Sequence, residues 1–430
     1  MIALVLGAMA VLLLLGFPLK VPLLVGALLV LLLELPFLAP DALIRQMITG
    51  VQPVVLSAVP MFILAADLMS RGRTAQTLLD LVSATLGHLR GGLPITVAVS
   101  CALFGAVSGS TQATVVAMGT PLRPRLLEAG YKDAFTLALI VNASDVALLI
   151  PPSIGMIVYG VVARTSPAEL FIAGIGPGLL ILALISLWCY AYTRWQGIAP
   201  EPRASWRQRG RALGRAAPAL GFPVIIIGGI YTGLFTPTEA ASASVLYAAV
   251  LELGVYRSLG PRDLAQVALS TGVITAVVFV LVGAGQAFAY AISFAQIPQE
   301  LIGPLIQAVG DTPQLALLAI AAIYFVGCMF VDPIVVILIF TPILAPLVAA
   351  AGLDPVLVGT LAVLQAAIGS ATPPFGVDLF TAVAAFRRPY LEVIRGTPPF
   401  IAIMLVATGV VILFPQVALF LRDLAFPPAS

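Results

Sequence analysis

The sequence predicts an all-α polytopic membrane protein with about ten to twelve transmembrane segments in two repeats. Each repeat is expected to carry a re-entrant helical hairpin and a broken helix. Three observations carry that prediction. The chain is 61% hydrophobic and 9% charged, with mean hydropathy +1.11, whereas a soluble domain is roughly 25% charged. Apolar runs reach the ~20 residues that a spanning helix needs: 1–17, 21–38, 170–192, 265–294, 315–347 and 401–421. Finally, two sets of helix breakers recur half a chain apart. Thr120-Pro121 returns as Thr341-Pro342, Ala129-Gly130 as Ala351-Gly352, and Pro151-Pro152 as Pro373-Pro374. A duplicated membrane unit interrupted at matching places points to the binding site of a secondary transporter.

Taken in order, 1–17 reads as a first membrane segment rather than a removable signal peptide, because no basic region precedes it. Plain apolar segments follow. Then Ile95–Val107 enters, Ser108–Thr111 forms a tip, Ala113–Met118 returns, and Thr120–Pro124 makes a proline-containing turn. A helix at Ala134–Asn142 breaks over Ala143–Pro152 and resumes at Ile154–Ala163. The second half repeats the order: Leu315–Phe330, a tip at Val331–Pro333, Ile334–Phe340, a turn at Thr341–Pro346, and a helix at Val356–Ala366. That helix breaks over Ala367–Pro374 and resumes at Val377–Phe386. Proline has no amide hydrogen and disfavours helix at the residue before it. Each Pro-Pro pair therefore leaves backbone carbonyls unpaired within apolar sequence. Between the halves, Arg194, Arg203, Arg207, Arg209, Arg211 and Arg215 crowd one polar stretch. The positive-inside rule makes that stretch a cytoplasmic loop, 201–215, joining 1–200 to 216–430.

Broken helices have a use in a membrane. Carbonyls at a half-helix C-terminus can coordinate Na⁺, and amides at a half-helix N-terminus attract an anion. Ser108, Ser110, Thr111, Ser144, Ser370 and Thr372 add hydroxyl oxygens suited to a hard cation. A single Gly-Ser motif would be explained by close helix packing; two matching constellations favour a functional site. Asp145, Asp332 and Asp378 fall in or beside the breaks. A carboxylate costs ~2.5–3.5 kcal/mol at a helix centre in the bilayer, so each should face a cavity or a cation. Asp332 has the equal alternative of capping a half-helix.

Other motifs carry little. Cys101, Cys189 and Cys328 are widely spaced in apolar sequence and form neither a disulfide framework nor a metal cluster. Gly174–Gly178 follows no strand, and Ser108–Thr111 lacks a phosphate-binding lysine. His88 is the sole histidine, which excludes a two-histidine zinc site. With no nucleophile–base pair, a membrane-embedded enzyme is disfavoured. The intramembrane aspartates oppose a purely structural scaffold. Neither nucleic-acid binding nor an organic cofactor is expected, and Na⁺ is the one metal anticipated.

The stretches Pro60–Gly72, Gly87–Leu93, Phe104–Val115, Ile150–Gly160, Gly229–Ala240 and Thr372–Phe380, in that order, resemble the large membrane (M, DctM-like) subunit of tripartite ATP-independent periplasmic (TRAP) transporters. The resemblance covers almost the whole chain. It implies two inverted repeats, 1–200 and 216–430, with an elevator-type transport domain built from the hairpins and broken helices. It implies a multi-pass protein of a bacterial inner membrane that imports a small organic acid with Na⁺. Family substrates include C4-dicarboxylates and sialic acids. Two partners are implied: a small four-helix membrane subunit and a periplasmic substrate-binding protein. Apart from these and membrane lipid, none is expected. The alternative is a stand-alone ion-coupled anion carrier.

Carried over residue by residue, the Na⁺ ligands would be Ser108, Gly109, Ser110, Thr111, Ser144 and Asp145 from one half, and Asp332, Gly369, Ser370 and Thr372 from the other. The substrate would meet Ser110, Asn142, Pro152, Ser153, Pro374, Gly376 and Asp378. Three positions depart from the family pattern. Asp378 stands where asparagine is usual, Asn142–Asp145 where small residues are usual, and Gln112 where a small residue or proline is usual. The extra carboxylates open the way to a cationic or neutral ligand, or to proton coupling.

Overall fold

A computed structural model describes residues 2–309 and 312–427. Among the described residues every regular element is helical. That follows from the solvent, since in lipid each backbone polar group must be satisfied within its own segment. Helices α1 (Ile2–Leu14), α2 (Lys20–Glu34), α3 (Asp41–Gly50), α4 (Ala58–Arg71) and α5 (Thr74–Leu86) lead into the first hairpin. Its arms are α6 (Gly92–Ser108) and α7 (Thr111–Glu128). The first broken helix follows as α8 (Asp133–Ser144), a 3-10 turn at Asp145–Leu148, and α9 (Ile154–Ala163). Helix α10 (Pro167–Gln196) closes the first half.

The second half opens with α11 (Trp206–Tyr231), α12 (Pro237–Ala249), a π-helical stretch at Val250–Val255, α13 (Pro261–Phe294) and α14 (Ile297–Val309). Its hairpin is α15 (Pro313–Phe330) and α16 (Pro333–Ala350), and its broken helix is α17 (Pro355–Ser370) and α18 (Val377–Phe386). The chain ends with α19 (Tyr390–Ile394), α20 (Pro398–Leu413) and α21 (Gln416–Ala425). Both halves thus run hairpin, then broken helix.

Two groupings of helices position the site. Helices α2, α3 and α4 pack along α13, whose 34 residues extend about 51 Å. The hairpin arms and broken helices pack on one another, on α10 and on α20. Helix α17 is buried on every side and α8 nearly so, so the breaks lie inside protein, where an irregular backbone is tolerated in a membrane. Glycine permits the closest crossings. A Cβ at Gly105 would lie 2.5 Å from the Ala147 side chain and 2.6 Å from its Cα, so α6 and the first break approach at backbone distance. A buried carboxylate ties the outer helices together: Glu252 accepts hydrogen bonds from the Arg73 amide (3.0 Å), the Thr74 amide (3.2 Å) and hydroxyl (2.6 Å), and the Ser258 hydroxyl (2.6 Å).

Among the described residues, seven helices are long and apolar enough to cross a membrane alone, or eight if the bent pair α20–α21 counts as one crossing, and shorter apolar helices such as α6, α9, α17 and α18 supply further apolar segments. Two expectations need correction. The proline-containing turns are not turns. Pro121 and Pro124 lie inside α7, and Pro342 and Pro346 inside α16. Each proline forfeits one helical hydrogen bond, and neighbouring helices make that loss tolerable in a packed bundle. The basic segment is also mostly helical. Ser205 starts α11 with a capping box completed by Gln208, leaving only a short linker after α10. Within this region Arg209 lies 3.2 Å from His88 Nδ1, and Arg125 pairs with Glu201 at 3.2 Å.

Gly105→Val should destabilise the protein by ~1–3 kcal/mol, the range for overpacking, because Ala147 opposes it with backbone. A thermal-unfolding midpoint equal to wild type would show that α6 and the break are loosely packed.

Candidate transport site

The first hairpin turns on Gly109, whose φ of +59° lies in the left-handed region that glycine alone enters freely. A Cβ there would also come within 2.6 Å of the Pro152 carbonyl oxygen. The hairpin tip therefore lies at the level of the first break and does not run past it. Ser110 caps α7, accepting from the Ala113 amide at 3.4 Å, and Ser153 caps α9 through the Met156 amide at 3.3 Å. Asp332 caps α16, accepting from the Ile334 amide at 2.9 Å. In the second break, a Cβ at Gly376 would sit 2.5 Å from the Ser370 carbonyl oxygen. The Pro374 carbonyl accepts from Tyr390 at 2.7 Å. Both Pro-Pro bonds, 151–152 and 373–374, are cis.

A cavity of about 90 Å³ lies where the two tips meet the breaks. Gly109–Gln112 and Asp332–Ile334 line it from the hairpins. Leu148, Ile154 and Gly155 line it from the first break, and Val363, Ala366 and Ser370 from α17. The first residues of α7, α9 and α16 all face this space. The N-termini of α7 and α9 aim amides at this cavity, an arrangement that attracts an anionic group, whereas α16 opens on Pro333, which has no amide hydrogen, and its Ile334 amide is taken by Asp332.

Behind the cavity the two halves exchange hydrogen bonds. Thr111 at the first tip donates to Asp378 Oδ1 of the second broken helix at 2.8 Å. Ser370 at the end of α17 donates to Asp145 Oδ1 of the first broken helix at 3.1 Å. Each half thus supplies a hydroxyl to the other half's carboxylate. Both aspartates are fully buried. Asp145 Oδ2, Asp378 Oδ2 and Asn142 Oδ1 have no protein partner. Asp145 begins just where α8 ends, and Ser370 is the last residue of α17. Carboxylates and helix C-termini share the same sign, so this layer attracts a cation. Among the described residues no three His, Cys, Asp or Glu side chains cluster. The oxygen-only donor set suits a monovalent hard cation.

Not every anticipated residue reaches this centre. Ser144 donates to the Ile140 carbonyl of its own helix at 2.7 Å and lies 3.7 Å from the Cys101 sulfur. Thr372 donates to the Ile368 carbonyl at 2.6 Å. Gly369 packs α17 against α15, where a Cβ would fall on Cys328. Ser108 lies 3.0 Å from the hydroxyl of buried Thr114. Asn142 donates from Nδ2 to the Ala138 carbonyl at 2.8 Å. Asp332 both caps its helix and lines the cavity, so its two sequence readings coexist. Thr114, and the apolar lining from Leu148, Ile337, Val363 and Ala366, went unnoticed in the sequence. Thr114 was detectable as one helical turn beyond Thr111; the apolar residues carry no local signal in so apolar a chain.

Residues 6–417 match the family described as tripartite ATP-independent periplasmic transporter, DctM component. The chain belongs to that family. It is therefore a transporter permease subunit and not an enzyme. Among its relatives, an ectoine/5-hydroxyectoine TRAP transporter large permease protein of Ruegeria pomeroyi is 61% identical over 97% of this chain and 98% of its own length. The ectoine TRAP transporter large permease protein of Halomonas elongata is 57% identical over 99% of this chain and 100% of its own. A C4-dicarboxylate TRAP transporter large permease protein of Pseudomonas aeruginosa is 36% identical over 86% of each chain. The fold resembles the crystal structure of the Alcanivorax borkumensis YdaH transporter. That match has a TM-score of 0.63 and 16% identity, and it covers 86% of each chain.

Thr111→Val and Ser370→Ala each leave a buried carboxylate oxygen without its donor. Each should cost ~1–3 kcal/mol. Combined with Asp378→Asn and Asp145→Asn respectively, each should show a coupling of ~0.5–3 kcal/mol in a double-mutant cycle read by thermal unfolding. Strict additivity would mean that the contacts between the halves do not form.

Proposed function

We propose that this chain is the large permease subunit of a Na⁺-coupled, binding-protein-dependent importer whose cargo is ectoine or a closely related zwitterion. One observation carries the reading: two buried carboxylates, each with an unpartnered oxygen, lie behind a cavity faced by the N-termini of α7 and α9. Ectoine is a cyclic amidinium bearing a carboxylate. Its carboxylate suits the amides at the starts of α7 and α9. Its planar amidinium, whose two ring N–H donors point to either side of the C2 methyl, can give one of them to the Asp378 carboxylate in a charge-assisted hydrogen bond. A C4-dicarboxylate or a sialic acid brings no matching cation to that layer. The names of the two relatives at 61% and 57% identity support the same cargo.

Charge counting then supplies the coupling. Asp145 and Asp378 would each take one monovalent cation, Na⁺ beside Asp145 and Ser370 and the amidinium beside Asp378, while the third carboxylate, Asp332, stays with the α16 N-terminus it caps. Either cation alone leaves one buried carboxylate uncompensated, which is expensive in a low-dielectric interior. Loading both is favourable, so each raises the affinity for the other, and this linkage is reciprocal. Ser108, Ser110 and Thr111 at the first tip, with Asp332 at the second, would close over the loaded site. The hairpin-bearing unit would then move against the helices packed along α13. In this reading the subunit works in a bacterial inner membrane with a small four-helix membrane subunit and a periplasmic binding protein that delivers the ligand.

The test is uptake into proteoliposomes. Ectoine should accumulate only when all three components and an inward Na⁺ gradient are present, and succinate and sialic acid should stay at background. Ectoine uptake by the large subunit alone, or uptake independent of Na⁺, would overturn the assignment.

A further inference from the structure

A second pocket, of about 420 Å³, lies away from the transport site. It is formed by the N-terminal end of α8 (Lys132, Phe135), the last turns of α10 (Trp188, Tyr192), and the segment entering α20 (Arg395, Phe400). Helix α10 ends at Gln196, and the arginine-rich segment follows it directly. The pocket therefore lies at the membrane face that the positive-inside rule assigns to the cytoplasm. Trp195 and Trp206, 79% and 77% exposed, mark the same level, as expected of an interfacial aromatic belt.

The pocket is cationic and its charge is not compensated. Lys132 and Arg395 form no ion pair and no side-chain hydrogen bond among the described residues. The carboxylate adjacent in sequence, Asp133, is already engaged by Arg123 at 2.7 Å and Arg388 at 3.1 Å. The pocket walls are aromatic. Phe135 stacks on Tyr192 with ring centroids 3.8 Å apart, and Phe400 lies 5.9 Å from Phe135. Trp188 lines the same space. Two free cations above an apolar aromatic wall match one chemistry: a phosphate ester carried on an apolar body.

We propose that this pocket binds the phosphate headgroup of an anionic phospholipid from the leaflet bordering the arginine-rich segment. Lys132 and Arg395 hold the phosphate oxygens, and the aromatic wall takes the glycerol and upper acyl carbons. The pocket joins the outer end of α8 to α10 and α20. The inner end of α8 leads into Asp145, so a bound lipid secures the helix that presents one of the two transport-site carboxylates. The proposal does not depend on the identity of the cargo.

The test is native mass spectrometry and thermal unfolding of the purified, delipidated full-length protein, with phosphatidylglycerol, phosphatidylcholine or inorganic phosphate added. Phosphatidylglycerol should form a retained adduct and raise the unfolding midpoint, while phosphatidylcholine should do neither. Lys132→Gln/Arg395→Gln should weaken phosphatidylglycerol binding about thirtyfold, the equivalent of ~1 kcal/mol for each of two basic contacts. Arg207→Gln/Arg211→Gln, on the same face but outside the pocket, should leave it unchanged. Lys132→Arg should preserve the adduct if the double variant fails to fold. Equal loss in the Arg207/Arg211 pair would reduce the effect to general surface charge and overturn the site. An equal midpoint shift with inorganic phosphate alone would overturn the lipid source.

Discussion

Two carboxylates buried at the level of the helix breaks set the terms for the rest of this molecule. Asp145 and Asp378 are fully buried, and each keeps an oxygen that no protein group satisfies. Such a pair is tolerable only because each half lends the other a hydroxyl: Thr111 to Asp378 and Ser370 to Asp145. Those donors must arrive at mid-depth, so the hairpins must turn there. They must also come within hydrogen-bond distance, so the tips and breaks are built from residues small enough to pass. Gly109 against the Pro152 carbonyl and Gly105 against Ala147 are the closest of these approaches. Unpartnered polar atoms at this depth are unfavourable for an empty bundle. Their retention is intelligible if something with positive charge visits.

The same geometry sorts charge along one line. The starts of α7, α9 and α16 line the cavity, while the ends of α8 and α17 lie beside the carboxylates. Apart from the Asp332 carboxylate that caps α16, helix starts therefore face one side and the buried carboxylates the other. A zwitterion and a cation can occupy such a site together with little net charge, which a dianion could not do. Coupling then needs no long-range relay. It needs only that a half-loaded site be electrostatically incomplete.

Much of this was legible in the sequence because breakers stand out against an apolar background. Ser108–Thr111, Asp332–Pro333 and the two Pro-Pro pairs marked the tips and breaks, and the structure places irregular backbone at each of them. What the sequence hid was orientation. Ser144 and Thr372 turn back to their own helical carbonyls, a choice that depends on rotamer and not on residue type. Pro121, Pro124, Pro342 and Pro346 read as turns yet lie within helices, because packing outweighs one lost hydrogen bond. The pairing between halves could not be read at all, since Thr111 and Asp378 are 267 positions apart. The carboxylates at Asp145 and Asp378 were visible as departures from the family pattern, and they are the residues on which the proposed zwitterionic cargo rests.

The most direct test of this account is ligand-dependent thermal unfolding of the purified permease, comparing wild type with Asp145→Asn and Asp378→Asn. Saturating Na⁺ and ectoine together, each near a hundred times its dissociation constant, should stabilise wild type by ~5 kcal/mol, about 2.7 kcal/mol for each ligand. The variants should be more stable than wild type when empty, since each removes one of two buried, incompletely satisfied charges, and should gain little from the ligands. Variants that are less stable when empty, or that keep the full ligand response, would contradict a site built on two carboxylates awaiting two cations.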